Sequence, residues 1–177
     1  QVIKLLFEAP TLDTAAMCRL LEHGADPNSY IDNKQNTCLH GAVKKFNTRA
    51  VRYLLHAGAN INAVNNRLQT PLALACDTYV AAAHKMVKLL LSVPGVDVDQ
   101  RDSGGNTPLL NAIYKNQPYI VRELLLCGCS VNDSYHGPSA YHVALFIFAQ
   151  GFYLEPNKLP PKLLDPVDWE WRLLDRK

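Results

Sequence analysis

Between Lys34 and Cys76 the chain has no aspartate or glutamate, although its 177 residues hold 16 of them. The same stretch contains Lys34, Lys44, Lys45, Arg49, Arg52 and Arg67, giving it +6 against −4 for the remainder and +2 for the whole. One block is therefore locally basic. Long apolar runs are also missing. None approaches the roughly 18–20 residues of a membrane span, so no membrane association is expected. The opening Gln1-Val2-Ile3-Lys4 has neither an initiator methionine nor a signal-peptide pattern, and reads as the start of a soluble fragment of something larger.

Cysteine is scarce and odd in number. Cys18, Cys38, Cys76, Cys127 and Cys129 include no C-x-x-C pair, which fits a reduced, cytoplasmic or nuclear setting. Cys127 and Cys129 flank Gly128 with no second pair in reach, so no metal is expected. G-x-S-x-G, H-E-x-x-H, a P-loop and G-x-G-x-x-G are all absent, and Gly104-Gly105 sits where a turn is needed. Neither catalysis nor a cofactor is expected. At 48% hydrophobic the chain can bury one sizeable core.

What is present is a period. Thr37-Cys38-Leu39-His40-Gly41-Ala42 recurs as Thr70-Pro71-Leu72-Ala73-Leu74-Ala75, as Thr107-Pro108-Leu109-Leu110-Asn111-Ala112, and in decayed form as Ser139-Ala140-Tyr141-His142-Val143-Ala144, at spacings of 33, 37 and 32. A second signature starts at Gly24, Gly58, Gly95 and Gly128, at spacings of 34, 37 and 33. Thr37, Thr70 and Thr107 are placed to cap a first helix, with Pro71 and Pro108 at its opening position, where a missing N–H costs nothing. The second helix carries Val51-x-x-Leu54-Leu55, Val87-x-x-Leu90-Leu91 and Val121-x-x-Leu124-Leu125, an apolar stripe facing a core. Gly24, Gly58 and Gly128 follow it as left-handed caps, ahead of Asn/Asp-rich hairpins. Neither helix buries its face alone, so the units must stack.

Two motifs recurring in register resemble the ankyrin-repeat family, whose unit is about 33 residues with a T-P-L-H-x-A signature. The resemblance covers roughly Val2 to Phe152. It implies an all-α solenoid of about four to five helix-pair units with short hairpin loops: approximately 1–33, 34–66, 67–103, 104–135 and 136–153. The first unit lacks a Thr-Pro start. The unit from Thr70 is four residues longer, absorbed around 77–84 and 93–95. The last loses its second-helix signature and reads as a terminal cap. Residues 154–177 change character, with Pro156, Pro160, Pro161 and Pro166, and are expected to form a linker and a short capping helix from Pro166 to about Leu174.

The resemblance also implies a site. His40 and His142 fall on the family's structural histidine. Lys44 and Lys45 fall where first helices present side chains to a concave groove, and Tyr114 with Lys115 is the corresponding pair two units on, beyond Asp77 and Thr78. With Lys34, Asn66, Arg67 and Ser103 from neighbouring hairpins, these residues form the expected partner-binding set, suited to an acidic protein or peptide segment. Arg49, Arg52 and His56 lie opposite the second-helix stripe, on a solvated outer face. Nucleic acid would require a larger basic excess or aromatics interleaved with the cations, and neither is present. The fragment is expected to be monomeric. Asn62 is the better match, and Asn132 the second, to the hairpin asparagine that a hydroxylase modifies in such proteins; the alternative is a purely structural asparagine. The family contains substrate-recruiting arms of ubiquitin ligases, of the ankyrin-plus-SOCS-box kind, and IκB-like regulators of transcription factors. Either role suits a binding module, as does positioning substrate for a larger enzyme.

Overall fold

The computed structural model describes residues 2–9, 11–80 and 82–131. Within them the chain forms α1 Val2–Glu8, α2 Thr14–Glu22, α3 Cys38–Lys44, α4 Thr48–His56, α5 Pro71–Cys76, α6 Ala83–Leu91, α7 Pro108–Tyr114 and α8 Pro118–Leu126. Strand pairing among the described residues is confined to one antiparallel bridge, Tyr30 with Thr37. The fold is all-α, as the repeat requires. None of these helices is long and apolar enough to cross a membrane.

Side-chain caps set where α2, α4, α5 and α7 start. The Thr70 hydroxyl accepts from the Ala73 N–H at 3.2 Å and the Thr107 hydroxyl from Leu110 at 3.4 Å, with Pro71 and Pro108 immediately inside. Asp13 caps α2 by accepting from Ala15 at 2.9 Å and Ala16 at 3.1 Å, and Asn47 caps α4 by accepting from Ala50 at 2.9 Å. After the second helices, Gly24, Gly58 and Gly128 adopt φ of +85°, +88° and +80°, the left-handed exit that glycine takes without strain.

Each first helix packs on its own second helix, and the first helices stack in the order α1, α3, α5, α7, with α2 on α4 and α6 on α8 behind them. The core lies between the two layers. Val51, Leu54, Val87, Leu90, Val121 and Leu124 supply its outer side and Leu39, Leu72 and Leu109 its inner side, all buried. Each such side chain contributes roughly 1.5–3 kcal/mol by leaving water. Arg49, Arg52 and His56 are exposed on the far side of α4. The long unit places its extra length as expected: residues 77–82 join α5 to α6, against 45–47 and 115–117 in the neighbouring units, and Ser92–Pro94 intervene before Gly95. The terminal unit 136–153 with His142, the linker and capping helix of 154–177, and Asn132 lie outside the described residues.

Candidate functional site

Each of the three hairpin tips among the described residues is closed by one short side chain. The Asp32 Oδ1 accepts from the Lys34 and Asn36 N–H groups at 2.9 and 3.0 Å, the Asn65 Oδ1 from Arg67 and Gln69 at 2.9 and 3.1 Å, and the Asp102 Oδ1 from Gly104 and Asn106 at 2.9 and 3.0 Å. This fold-back suits Asp and Asn, whose side chains reach the backbone two residues on. Partial burial raises the pKa of Asp32, but the Asn36 and Lys34 hydrogen bonds and the charge of Lys44 outweigh that and hold its carboxyl below the usual range.

Adjacent tips are then joined through their backbones. Asn66 donates to the Lys34 carbonyl at 2.9 Å and Ser103 to the Arg67 carbonyl at 2.7 Å. Lys34, Asn66, Arg67 and Ser103 consequently line one edge of the stack, all exposed. Beside them, Lys44 ends α3 and Tyr114 ends α7, both exposed, on helices stacked through α5. Among the described residues, Lys34, Lys44 and Arg67 form no ion pair.

Two of the eight sequence-derived residues are already engaged. The Lys45 ammonium donates to the Ala9 carbonyl and so fastens the first unit to the second. Lys115 pairs with Asp77 at 3.1 Å and lies 4.5 Å from the centre of the Tyr79 ring. Its hydrogen bond to Asp77, above all, raises its pKa. Tyr79 was not anticipated from sequence. It sits in the lengthened 77–82 loop and is 76% exposed; the four-residue excess over the repeat was the available signal.

A cleft of about 490 Å³ opens where α1 meets α3 and the first hairpin. Phe7 and Ile31 line it, and Lys4, Glu8, Asp32 and Lys44 stand around it. Gly41 lets this wall come close: a Cβ there would lie 2.5 Å from the Ile31 Cδ1 and 2.6 Å from the Phe7 Cδ1.

The structural histidine is fixed by its partners. The Thr37 backbone N–H can only donate, so the His40 Nδ1 accepts from it at 3.3 Å; the Gln69 carbonyl can only accept, so the proton is on Nε2, 2.9 Å away. The Thr37 hydroxyl lies 2.9 Å from the same Nδ1. His40 is fully buried and ties one unit to the next.

Asn62 does related work at the hairpin base. Its Nδ2 donates to the Gly95 carbonyl at 2.7 Å and its Oδ1 accepts from the Asp97 N–H at 2.8 Å. Asn28 spans Gly58 and Asn60 in the same way, at 3.3 and 2.7 Å. The Asp99 Oδ1 accepts from Ser130 at 2.8 Å one unit on. Asn62→Ala is expected to lower the unfolding free energy by about 1–2 kcal/mol, since two partly solvated bonds are lost. Urea titration checks this, and an unchanged midpoint would assign the bridge no stabilising role.

Among the described residues no group of His, Cys, Asp or Glu side chains could hold a metal ion. Burial pushes the Cys129 thiol up to about 12 and raises Cys127 as well, the direction opposite to that of a metal-binding or nucleophilic thiolate.

Comparison with known proteins agrees with this geometry. Residues 20–75 match the family profile described as ankyrin repeats (many copies), and residues 78–146 the one described as ankyrin repeats (3 copies). The chain is 33% identical over 126 residues to human neurogenic locus notch homolog protein 2, covering 71% of this chain and 5% of that protein. It is 36% identical over 106 residues to human neurogenic locus notch homolog protein 4, covering 60% and 5%. It is 33% identical over 98 residues to human transient receptor potential cation channel subfamily A member 1, covering 55% and 8%. The chain thus spans only a small fraction of the length of these relatives.

Proposed function

The chain belongs to the ankyrin-repeat family, and from that premise we propose that it is a protein-binding scaffold that performs no chemistry and takes an acidic segment of a partner protein along its hairpin and first-helix face. The observation that carries this reading is the row of exposed cations that form no ion pair among the described residues, Lys34, Arg67 and Lys44, on hairpins and a helix already held rigid by their own hydrogen bonds. A preorganised basic face loses little entropy on binding and attracts an acidic segment from a distance.

The test is charge reversal, read with a fluorescent polyglutamate peptide. Lys44→Glu combined with Arg67→Glu is expected to weaken binding about tenfold or more and to flatten its salt dependence. Stability should move by less than about 0.5 kcal/mol per substitution, because both residues are exposed. Lys45 is avoided because its reversal would also release Ala9. The control reverses Arg49 and Arg52 on the outer face. Should that pair abolish binding while the groove pair changes nothing, the partner uses the opposite surface and the reading fails.

The finer role we put forward is the substrate-recognition arm of a ubiquitin-ligase adaptor, with regulation of a transcription factor and substrate positioning in a larger enzyme as alternatives. Co-purification of the full-length protein with a cullin separates the first from the others. Hydroxylation of Asn62 is part of the same proposal. It would act on a side chain that the folded stack holds between Gly95 and Asp97, so it requires local opening or precedes folding. Peptide mass mapping from cells that finds no added oxygen at Asn62 removes it.

A further inference from the structure

We infer that Leu68 is a contact residue for the partner: an apolar tip in an otherwise basic and polar row, it packs against an aliphatic side chain carried within the acidic segment. This rests on the acidic-partner reading above and adds to it a residue that selects among acidic segments.

Each hairpin tip among the described residues turns on a left-handed residue, three positions after the side chain that closes it: Gln35 at φ +57°, Leu68 at +54° and Gly105 at +79°. Glycine enters that region freely, whereas the Cβ of a leucine crowds the backbone there. Two further non-glycine residues among those described share the conformation, and each has its reason. Asn116, at φ +51°, is of a type that tolerates it, and Phe46, also at +51°, packs against the core. Gln35 places a polar side chain in water. Leu68 does none of these. Its side chain is 49% exposed and stands outside the core, so it adds no packing to offset what its backbone costs.

The surrounding hairpin nevertheless imposes the conformation. The Leu68 N–H donates to the Asn65 carbonyl at 2.9 Å, the Asn65 N–H donates to the Gln69 carbonyl at 3.1 Å, and the Asn65 side chain accepts from the residues on either side of Leu68. Neighbouring tips then clamp this one from both sides, through the Asn66 N–H on Lys34 and the Ser103 N–H on the Arg67 carbonyl. Strain that a structure over-determines in this way gathers at binding sites, where a fixed side chain has little freedom left to lose. Leu68 follows Arg67 directly and stands on the middle hairpin of the row. Covering a leucine gains free energy against apolar surface, and the flanking cations favour carboxylates. A segment that satisfies both has an aliphatic residue among its acidic ones.

The experiment uses the whole chain and two labelled peptides, a polyglutamate tract and the same tract interrupted by a Leu-Leu pair, with affinities read by fluorescence anisotropy. The interrupted peptide is expected to bind about tenfold more tightly. Leu68→Asn should abolish that increment and leave polyglutamate binding and its salt slope unchanged, while raising the thermal midpoint by about 2–4 °C because asparagine tolerates the left-handed backbone. Leu68→Met should keep the increment. If the Leu-Leu pair adds nothing, or Leu68→Asn leaves the increment intact or weakens both peptides equally, the inference is wrong although the acidic reading survives. A fall in the midpoint with asparagine would show that the leucine serves the fold and would overturn it too. If polyglutamate binding ignores Lys44→Glu with Arg67→Glu, the acidic reading fails and takes the role of Leu68 with it.

Discussion

His40→Ala is expected to lower the unfolding free energy by about 3 kcal/mol, measured by urea titration at neutral pH. The imidazole is fully buried, and its removal deprives the Thr37 N–H and the Gln69 carbonyl of partners. Each abandoned buried group costs about 1–3 kcal/mol, and the vacated volume adds to that. Acid provides an independent check. Burial, first of all, holds the His40 pKa below its ordinary 6.5, so the folded protein keeps the ring neutral where the unfolded chain takes up a proton. The stability due to His40 is complete above about pH 6.5 and is lost progressively as pH falls from there toward the depressed folded pKa. The parent should therefore lose stability more steeply than the alanine variant on the acid side of 6.5. Parallel pH profiles for the two proteins would show that His40 ionises alike in both states.

Gly41→Leu is expected to cost about 2 kcal/mol, and to do so at one end of the stack. Repeat arithmetic argues the reverse: Leu74 and Asn111 occupy the corresponding slots, and a glycine inside a helix costs about 1 kcal/mol relative to alanine. Local geometry overrules the arithmetic, because even a methyl group at position 41 would meet Ile31 at 2.5 Å and the Phe7 ring at 2.6 Å. The Ile31 contact is a flexible side-chain end, but the Phe7 contact is the body of a ring that joins α1 to α3. Leucine should displace Phe7, loosen α1 and distort the cleft. Hydrogen exchange should quicken in α1 and stay unchanged in α7 and α8. Gly41→Ala should cost less, because improved helix propensity offsets part of the collision. Stabilisation by leucine would show that α1 shifts freely.

These two cases mark how far the sequence could be read. The period, the Thr-Pro helix starts, the glycine exits and the site of the extra length are local or periodic properties, written in residues a few positions apart, and they correspond to what the structure contains. The alignment of Lys34, Asn66, Arg67 and Ser103 follows from the same period once the units stack. What the sequence hid is tertiary. Nothing near Lys45 indicates that its ammonium reaches back to Ala9, 36 positions away. Nothing near Lys115 reveals that a loop one unit earlier supplies both Asp77 and Tyr79. Residue type and repeat position place Lys45 and Lys115 on the binding face, but whether a cation is available is decided by neighbours that a repeat pattern does not list. The hairpin-closing roles of Asp32, Asn65 and Asp102 were accessible in principle, since each lies two residues before an N–H it accepts from, but this motif is brief enough to go unnoticed among Asn/Asp-rich turns.

The rungs along the hairpin base have a mechanical consequence. Asn28 grips Asn60, Asn62 grips Asp97 and Asp99 grips Ser130, each across one boundary between neighbours. A pull on the two ends of such a stack is transmitted through these boundaries in series, so every one carries the same load and the weakest yields first. The material therefore behaves as a chain of latches: under tension it should lengthen in discrete steps of one unit, and a released unit should click back against a neighbour that never lost its shape.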